Sequence, residues 1–260
     1  MNDAFIVDSH VHTGLPGVFF SPEESAQSLL MRMDKSLIRY SINLGSMRNL
    51  MGSSDGEMLK AQAEFEESGG RIFYCGYFDP RSSAEDMATL EKAARRSGFK
   101  GIKIHPSFAR LSGADPRYEP VWKFAAERGF PIVTHSWSAS SYNPVQVLST
   151  PEKFEPAVEK YPAVRFVLGH AGGRGDGRTE AIRMARQHPN VYMDVSGDIC
   201  DRRFLEQMVR EKVGGKVLFG TDYPWFDQRS HLCGVYLAGI PLEIKKAILK
   251  DNALRVFSLA

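Results

Sequence analysis

The sequence predicts one α/β domain spanning residues 1–260, built as a (β/α)8 or TIM barrel. Three observations predict it. Eight short runs rich in β-branched and aromatic residues alternate with longer helical patterns. Most of those runs are near-continuously apolar, as parallel strands covered by helices are. The 260-residue length suits one such barrel. The alternative, an open doubly wound sheet, calls for a glycine-rich phosphate fingerprint after its first strand, and none follows here.

The predicted strands are Phe5–His10, Leu37–Leu44, Arg71–Phe78, Gly101–His105, Pro131–His135, Val164–Gly169, Val191–Val195 and Lys216–Gly220. Helices fill the intervals. Ser21-Pro22-Glu23-Glu24 reads as an N-cap, a first-position proline and acids in the first turn. Ser54–Ser68 is closed by Gly69-Gly70, and Ser83–Ser97 by Gly98. Asp115 caps a helix running from Pro116 to Gly129. Pro151–Tyr161, Arg178–Gln187, Asp201–Lys212, Ser230–Ala238 and Pro241–Val256 complete the set. The longest irregular stretches all follow strands, which in a barrel puts them on the C-terminal face, where active sites sit.

Bulk properties narrow the function. Lys plus Arg is 33 against 31 for Asp plus Glu, a net charge of +2, with no basic stripe to engage nucleic acid. No apolar stretch approaches a membrane span. Cys75, Cys200 and Cys233 are scattered and follow no CxxC spacing, which reads as reduced thiols in a cytoplasmic protein. The partner expected is a small-molecule substrate; a homo-oligomer stays open.

The chemistry-bearing residues fall at strand ends. His10 and His12, in Asp8-Ser9-His10-Val11-His12, leave the same face of a strand because its side-chain period is two. Two adjacent imidazoles there form half of a divalent-metal site. Lys103 and His105 close strand 4, His135 closes strand 5, His170 strand 6 and Asp222 strand 8. Five of the seven histidines are placed this way; His188 and His231 read as surface residues. A ring of imidazoles with one carboxylate is a divalent-metal site, with zinc the first choice and manganese, iron, cobalt or nickel open.

These motifs resemble the amidohydrolase superfamily, in its amidohydrolase-related branch, which includes aminocarboxymuconate-semialdehyde decarboxylase and related decarboxylases, hydratases and lactonases. The resemblance rests on Asp8-Ser9-His10-Val11-His12, Gly101-Ile102-Lys103-Ile104-His105-Pro106, Thr134-His135, Leu168-Gly169-His170-Ala171-Gly172-Gly173 and Gly220-Thr221-Asp222-Tyr223-Pro224, and on the ending Ile248–Phe257. It implies that His10, His12, His135 and Asp222 hold one divalent metal, with His170 beside it against substrate or activated water. A second metal, bridged by a carboxylated Lys103 and bound by His170, is the variant found in other members; one metal is favoured.

The expected activity is metal-dependent hydrolysis of a small amide, lactone or ester by a metal-activated water, with Asp222 as general base and His170 stabilising the oxyanion. The alternative is non-oxidative decarboxylation of a small carboxylic acid on the same metal site; a barrel that binds metal but has lost its chemistry comes third. Lys103 and His105 are expected at the substrate, Lys103 against a substrate carboxylate or Asp222. So are Trp137, Arg174, Tyr223 and Trp225, with Phe19, Phe20, Tyr142, Phe226, Arg48 and Arg110 as further loop contacts. Asp8 either orients a ligand histidine or is a buried structural acid.

Overall fold

The structure is a computed structural model that describes residues 5–14, 25–45, 53–199 and 203–259. Eight parallel strands lie side by side in chain order, each joined to the next through helical segments. They are β1 (Ile6–Val11), β2 (Ile38–Asn43), β3 (Ile72–Tyr77), β4 (Phe99–Ile104), β5 (Ile132–His135), β6 (Phe166–Gly169), β7 (Val191–Asp194) and β8 (Val217–Leu218). The helices are α1 (Ala26–Lys35), α2 (Asp55–Glu67), α3 (Ser83–Ala93), α4 (Pro106–Ala109), α5 (Glu119–Arg128), α6 (Glu155–Lys160), α7 (Gly175–Gln187), α8 (Phe204–Arg210), α9 (Gln228–Leu237), α10 (Leu242–Lys246) and α11 (Asn252–Phe257). The expected (β/α)8 barrel is what the chain forms.

The barrel closes through a chain segment that continues β8. Ser9 N–H donates to Phe219 O at 2.8 Å, Asp222 N–H to His10 O at 2.8 Å and His12 N–H to Tyr223 O at 2.7 Å. That closure carries Asp222 against the two histidines.

Two apolar layers hold the barrel. Outward residues such as Ile102, Ile104, Ile132, Phe166 and Leu168 pack under the helices, against Leu90, Trp122 and Phe124 among others. Inward residues Val7, Ile42, Cys75, Val133, Val167 and Leu218 fill the interior. The same cluster takes in Val256, Phe257 and Leu259 from α11 and the segment after it, packed with Phe5, Tyr40, Phe73 and Tyr192 around the strand starts. The N-terminal end of the barrel is therefore plugged, and the C-terminal end is left for chemistry.

Helix boundaries differ from the sequence expectation where prolines recur. The predicted helix from Pro116 is a 3-10 turn, Pro116–Tyr118, followed by α5 with Pro120 in its first turn. Pro120 has no N–H to give to the carbonyl of Pro116, so one α-helix cannot run through both. The same arrangement divides 151–154 from α6, where Pro156 stands in the first turn. The Ser21–Glu24 helix start lies outside the described residues; α1 is capped by Ser25, whose hydroxyl accepts from Ser28 N.

Candidate active site

One local irregularity sets the orientation of the site. Val7 faces the interior, so strict alternation along β1 would turn His10 outward. Between Asp8 and Val11 the register with β2 shifts. A bulge of this kind re-aims side chains, and His10 and His12 both come to line the mouth. His10 Nε2, His12 Nε2 and Asp222 Oδ1 then converge. The Asp222 oxygen is 3.5 Å from His10 and 3.3 Å from His12, and this trio lies within 4.8 Å of one another.

The outer nitrogens of both rings are committed. His12 Nδ1 donates to Gly45 O at 2.7 Å. His10 Nδ1 donates to Asp194 Oδ2 at 2.9 Å. A neutral imidazole that donates through Nδ1 presents a lone pair at Nε2. Two lone pairs and a carboxylate oxygen therefore point at one spot. His10 Nε2 and Asp222 Oδ1 are buried there without a hydrogen-bond partner among the described residues. An electron-rich convergence of N, N and O donors fits a divalent cation. Burial pushes His10 down to about 4, against the pull of Asp194. Burial also acts to raise Asp222, but the His12 ring and the nearby His170 and His10 rings hold it well below the ordinary carboxylate value.

Asp194 and Ser196, which the sequence reading did not single out, organise this half. Asp194 accepts from His10 Nδ1, from His170 N at 2.9 Å, from Ser196 N at 3.1 Å and from Ser196 Oγ at 2.6 Å. These donors outweigh its burial and keep it ionised. Having given its proton to Asp194, the Ser196 hydroxyl accepts from His170 Nδ1 at 2.9 Å. His10, His170 and Asp194 also form a three-residue metal-type cluster, but its atoms are spent on each other and on Ser196. Gly197 follows with φ +81°; a Cβ there would lie 2.9 Å from His170 Nδ1 and 3.6 Å from Asp222 Oδ2. The inward parity of β7 was the available signal for Asp194, since Val191 and Met193 face out.

The β4 and β5 side differs. His105 and His135 stack at 3.9 Å with an interplanar angle of 7°, and Trp137 continues the stack at 6.1 Å and 6°. His135 Nε2 donates to Gln146 Oε1 at 3.0 Å, and His135 is not part of the cluster formed by His10, His12 and Asp222. His105 Nδ1 accepts from Phe108 N at 3.3 Å. Burial, then neighbouring positive groups, pushes both imidazoles well below their ordinary value. Lys103 is 2% exposed. Burial lowers its amine to about 8, with Asp194 and Asp222 pulling the other way. All of these groups except Asp194 line one cavity of about 760 Å³, with Phe108, Arg110, Trp137, Tyr142, Gln146, Trp225 and Phe226.

Several expected contacts are placed elsewhere. Arg174 is exposed and does not line the cavity itself; it bonds the carboxylate and carbonyl of Asp198, which does. Tyr223 is a core residue whose hydroxyl bonds Ser28 of α1, because closure of the barrel tucks it behind β1. His231 is not on the surface: it is 4% exposed and donates from Nε2 to Gly197 O at 2.9 Å. His188 is half-buried and bonds Glu155. Asp8 is a structural acid. It accepts from Thr221 N and Oγ1, Gln228 Nε2 and His10 N, tying β1 to the β8 segment, while burial pushes it up to about 7. Phe19, Phe20 and Arg48 lie outside the described residues.

A family model described as amidohydrolase (Amidohydro_2) matches residues 7–259. No curated protein matches significantly. Among solved structures, 2,6-dihydroxybenzoate decarboxylase from Rhizobium has a TM-score of 0.78 at 15% identity, covering 98% of this chain and 99% of its own. For 5-carboxyvanillate decarboxylase LigW from Sphingomonas paucimobilis the TM-score is 0.74 at 15% identity, again over 98% and 99%. For a probable 2-pyrone-4,6-dicarboxylic acid hydrolase from Acinetobacter baumannii the TM-score is 0.72 at 12% identity, over 98% and 100%. At these identities the likeness is one of fold.

Proposed function

We propose, for a chain that belongs to the amidohydrolase family, a metal-dependent hydrolase of a small amide, lactone or ester. The observation that carries this is the convergence of His10 Nε2, His12 Nε2 and Asp222 Oδ1 on one buried point, with no hydrogen-bond partner for His10 Nε2 or Asp222 Oδ1 among the described residues. His10, His12 and Asp222 would hold one divalent metal, zinc being the first choice, and His135 would be the fourth ligand once its Nε2, which donates to Gln146 here, offered a lone pair instead. When bound, the metal supplies Lewis acidity and makes a water nucleophilic near neutral pH.

The protein's own groups do the rest. Asp222, held ionised, takes the proton of the attacking water at Oδ2, the oxygen not shared with the two histidines, and returns it to the leaving group. His170, whose Nδ1 donates to Ser196 Oγ and whose backbone N–H donates to Asp194, presents the Nε2 lone pair to a hydrogen of the attacking water and orients it. His105, Trp137 and Trp225 wall the substrate in.

Decarboxylation of a small carboxylic acid is the second reading. It uses the same centre, and two of the similar folds are decarboxylases by name. The test is metal analysis of the purified protein, followed by product analysis on lactone, ester and aromatic-acid panels. One equivalent of metal with a new acid–alcohol or acid–amine pair supports the hydrolase. Released CO₂ replaces it with the lyase. Metal-free, inert protein removes both.

A further inference from the structure

We infer that Asn43, braced by Thr13 and by Glu64 of α2, is a positioning residue for His12: it holds the Gly45 carbonyl and, through it, the direction of the His12 ring. The inference deepens the reading of the mouth as a metal site. It rests on that reading for what His12 does, though not for how His12 is held. The contacts run outward from the ring. His12 Nδ1 donates to Gly45 O at 2.7 Å. Gly45 has φ +92°, and nothing among the described residues lies within 4 Å of where a Cβ would stand. Side-chain packing therefore does not hold this residue, and its carbonyl needs a holder from elsewhere. Gly45 N–H donates to Asn43 Oδ1 at 3.0 Å, which closes the turn. Asn43 ends β2 opposite Val11, the residue between the two histidines, and Leu44 N–H donates to Val11 O at 2.9 Å. The acceptor that fixes the turn is thus in register with the strand that carries the ring.

Asn43 is itself fixed from its other end. Its Nδ2 donates to Thr13 Oγ1 at 2.6 Å and to Glu64 Oε2 at 3.3 Å. Thr13 Oγ1 donates to the same Glu64 oxygen at 2.9 Å. With its NH₂ committed there, the amide turns its oxygen toward Gly45. Thr13 follows His12 in the chain, so the network grips the histidine twice, at the ring through Gly45 and at the backbone through Thr13. Asn43 and Thr13 are buried. Glu64 is half-buried, on the face of α2 that docks through Met58, Ala61 and Phe65. Burying a carboxylate is costly unless donors meet it. Burial does raise Glu64, while the Thr13 hydroxyl, Lys60 and Asn43 act against it. The helix thus gives up a position on its docking face to an acceptor whose donors lead to His12.

The test uses the full chain labelled with ¹⁵N-histidine and reads the Nδ1 proton of His12, assigned by its loss in His12→Asn. In wild type that proton is held by Gly45 O and exchanges slowly with water. Asn43→Leu keeps the side-chain size and removes both ends of the clasp. It is expected to speed the exchange by about tenfold, the worth of one net hydrogen bond. Zinc affinity, read by chelator competition, is expected to fall by about tenfold or more. Glu64→Leu does the same to a smaller degree. Glu64→Gln, which keeps an acceptor for Thr13 and Asn43, behaves as wild type. Wild-type exchange in both Asn43→Leu and Glu64→Leu overturns the inference. So does a loss of stability to urea with the His12 proton unchanged, which is what a merely structural brace gives. Should Asn43→Leu fail to fold, Glu64→Leu decides alone. A wild type that binds no zinc, with the Nδ1 proton still released by Asn43→Leu, leaves this inference intact and refutes the metal centre alone.

Discussion

The two halves of the barrel mouth are built on different terms. On the side formed by β1 and β6 to β8, every ring nitrogen that faces away from the centre has an assigned partner. His12 gives its proton to Gly45 O, His10 to Asp194 and His170 to Ser196. The atoms that face the centre, His10 Nε2 and Asp222 Oδ1, have none among the described residues. On the β4 and β5 side, His105 and His135 lean on each other, His135 is held by Gln146 from the 3-10 turn Pro144–Ser149, and the Lys103 amine has no hydrogen bond or ion pair among the described residues. The first half holds its converging atoms through partners behind them. The second is held by contacts among its own rings and one glutamine. Rigidity follows what must be positioned before binding.

The sharpest way to break that contrast is Asp222→Asn. It keeps the shape and removes both the charge and the base. The expected result is loss of bound metal and a fall in kcat/KM of about 10²–10⁴ or more. A variant that keeps full metal and near-wild-type turnover would show that the carboxylate belongs to neither role.

Next come the groups behind the rings. Asp194→Asn and Ser196→Ala leave the converging atoms in place but release the Nδ1 ends of His10 and His170. Metal affinity, read by chelator competition, is expected to fall about 10–100-fold. An unchanged affinity would mean that the outer partners merely fill space. Gly197→Ala probes the same half by crowding. Its methyl would press on His170 Nδ1 at 2.9 Å in a backbone of φ +81°. The expected cost is about 1–3 kcal/mol of stability, read by denaturant unfolding, together with reduced turnover. A neutral result would place His170 away from Gly197.

The smallest effect is expected on the open side. Gln146→Leu removes the acceptor of His135 Nε2 and frees that ring. Metal affinity should change by no more than about threefold, in proportion to one exposed-side hydrogen bond. A loss as large as that of Ser196→Ala would erase the distinction between the halves.

Much of this was legible in the sequence because strand periodicity carries it. His10-Val11-His12, Lys103-Ile104-His105 and Asp222 could be placed at strand ends from pattern alone, and the apolar runs located the eight strands. What could not be read has a physical reason in each case. The bulge between Asp8 and Val11 decides which face His10 takes, and alternation does not report a register shift. Asp194 and Ser196 act through partners far away in the chain, His10 and His170, so beyond the inward parity of Asp194 nothing local names their role. Tyr223 and Arg174 sit on loops whose course is set by closure of the barrel and by Asp198. His231 looked like a surface residue because its acceptor, Gly197 O, belongs to another loop. Recurrent prolines moved helix starts by a turn at Pro120 and Pro156.

The most direct test of the central claim is anomalous diffraction from crystals grown with zinc. The account predicts one peak about 2.0–2.2 Å from His10 Nε2, His12 Nε2 and an Asp222 oxygen. An absent peak, or one bound by other residues with His12 and Asp222 still facing each other across an empty gap, would contradict it.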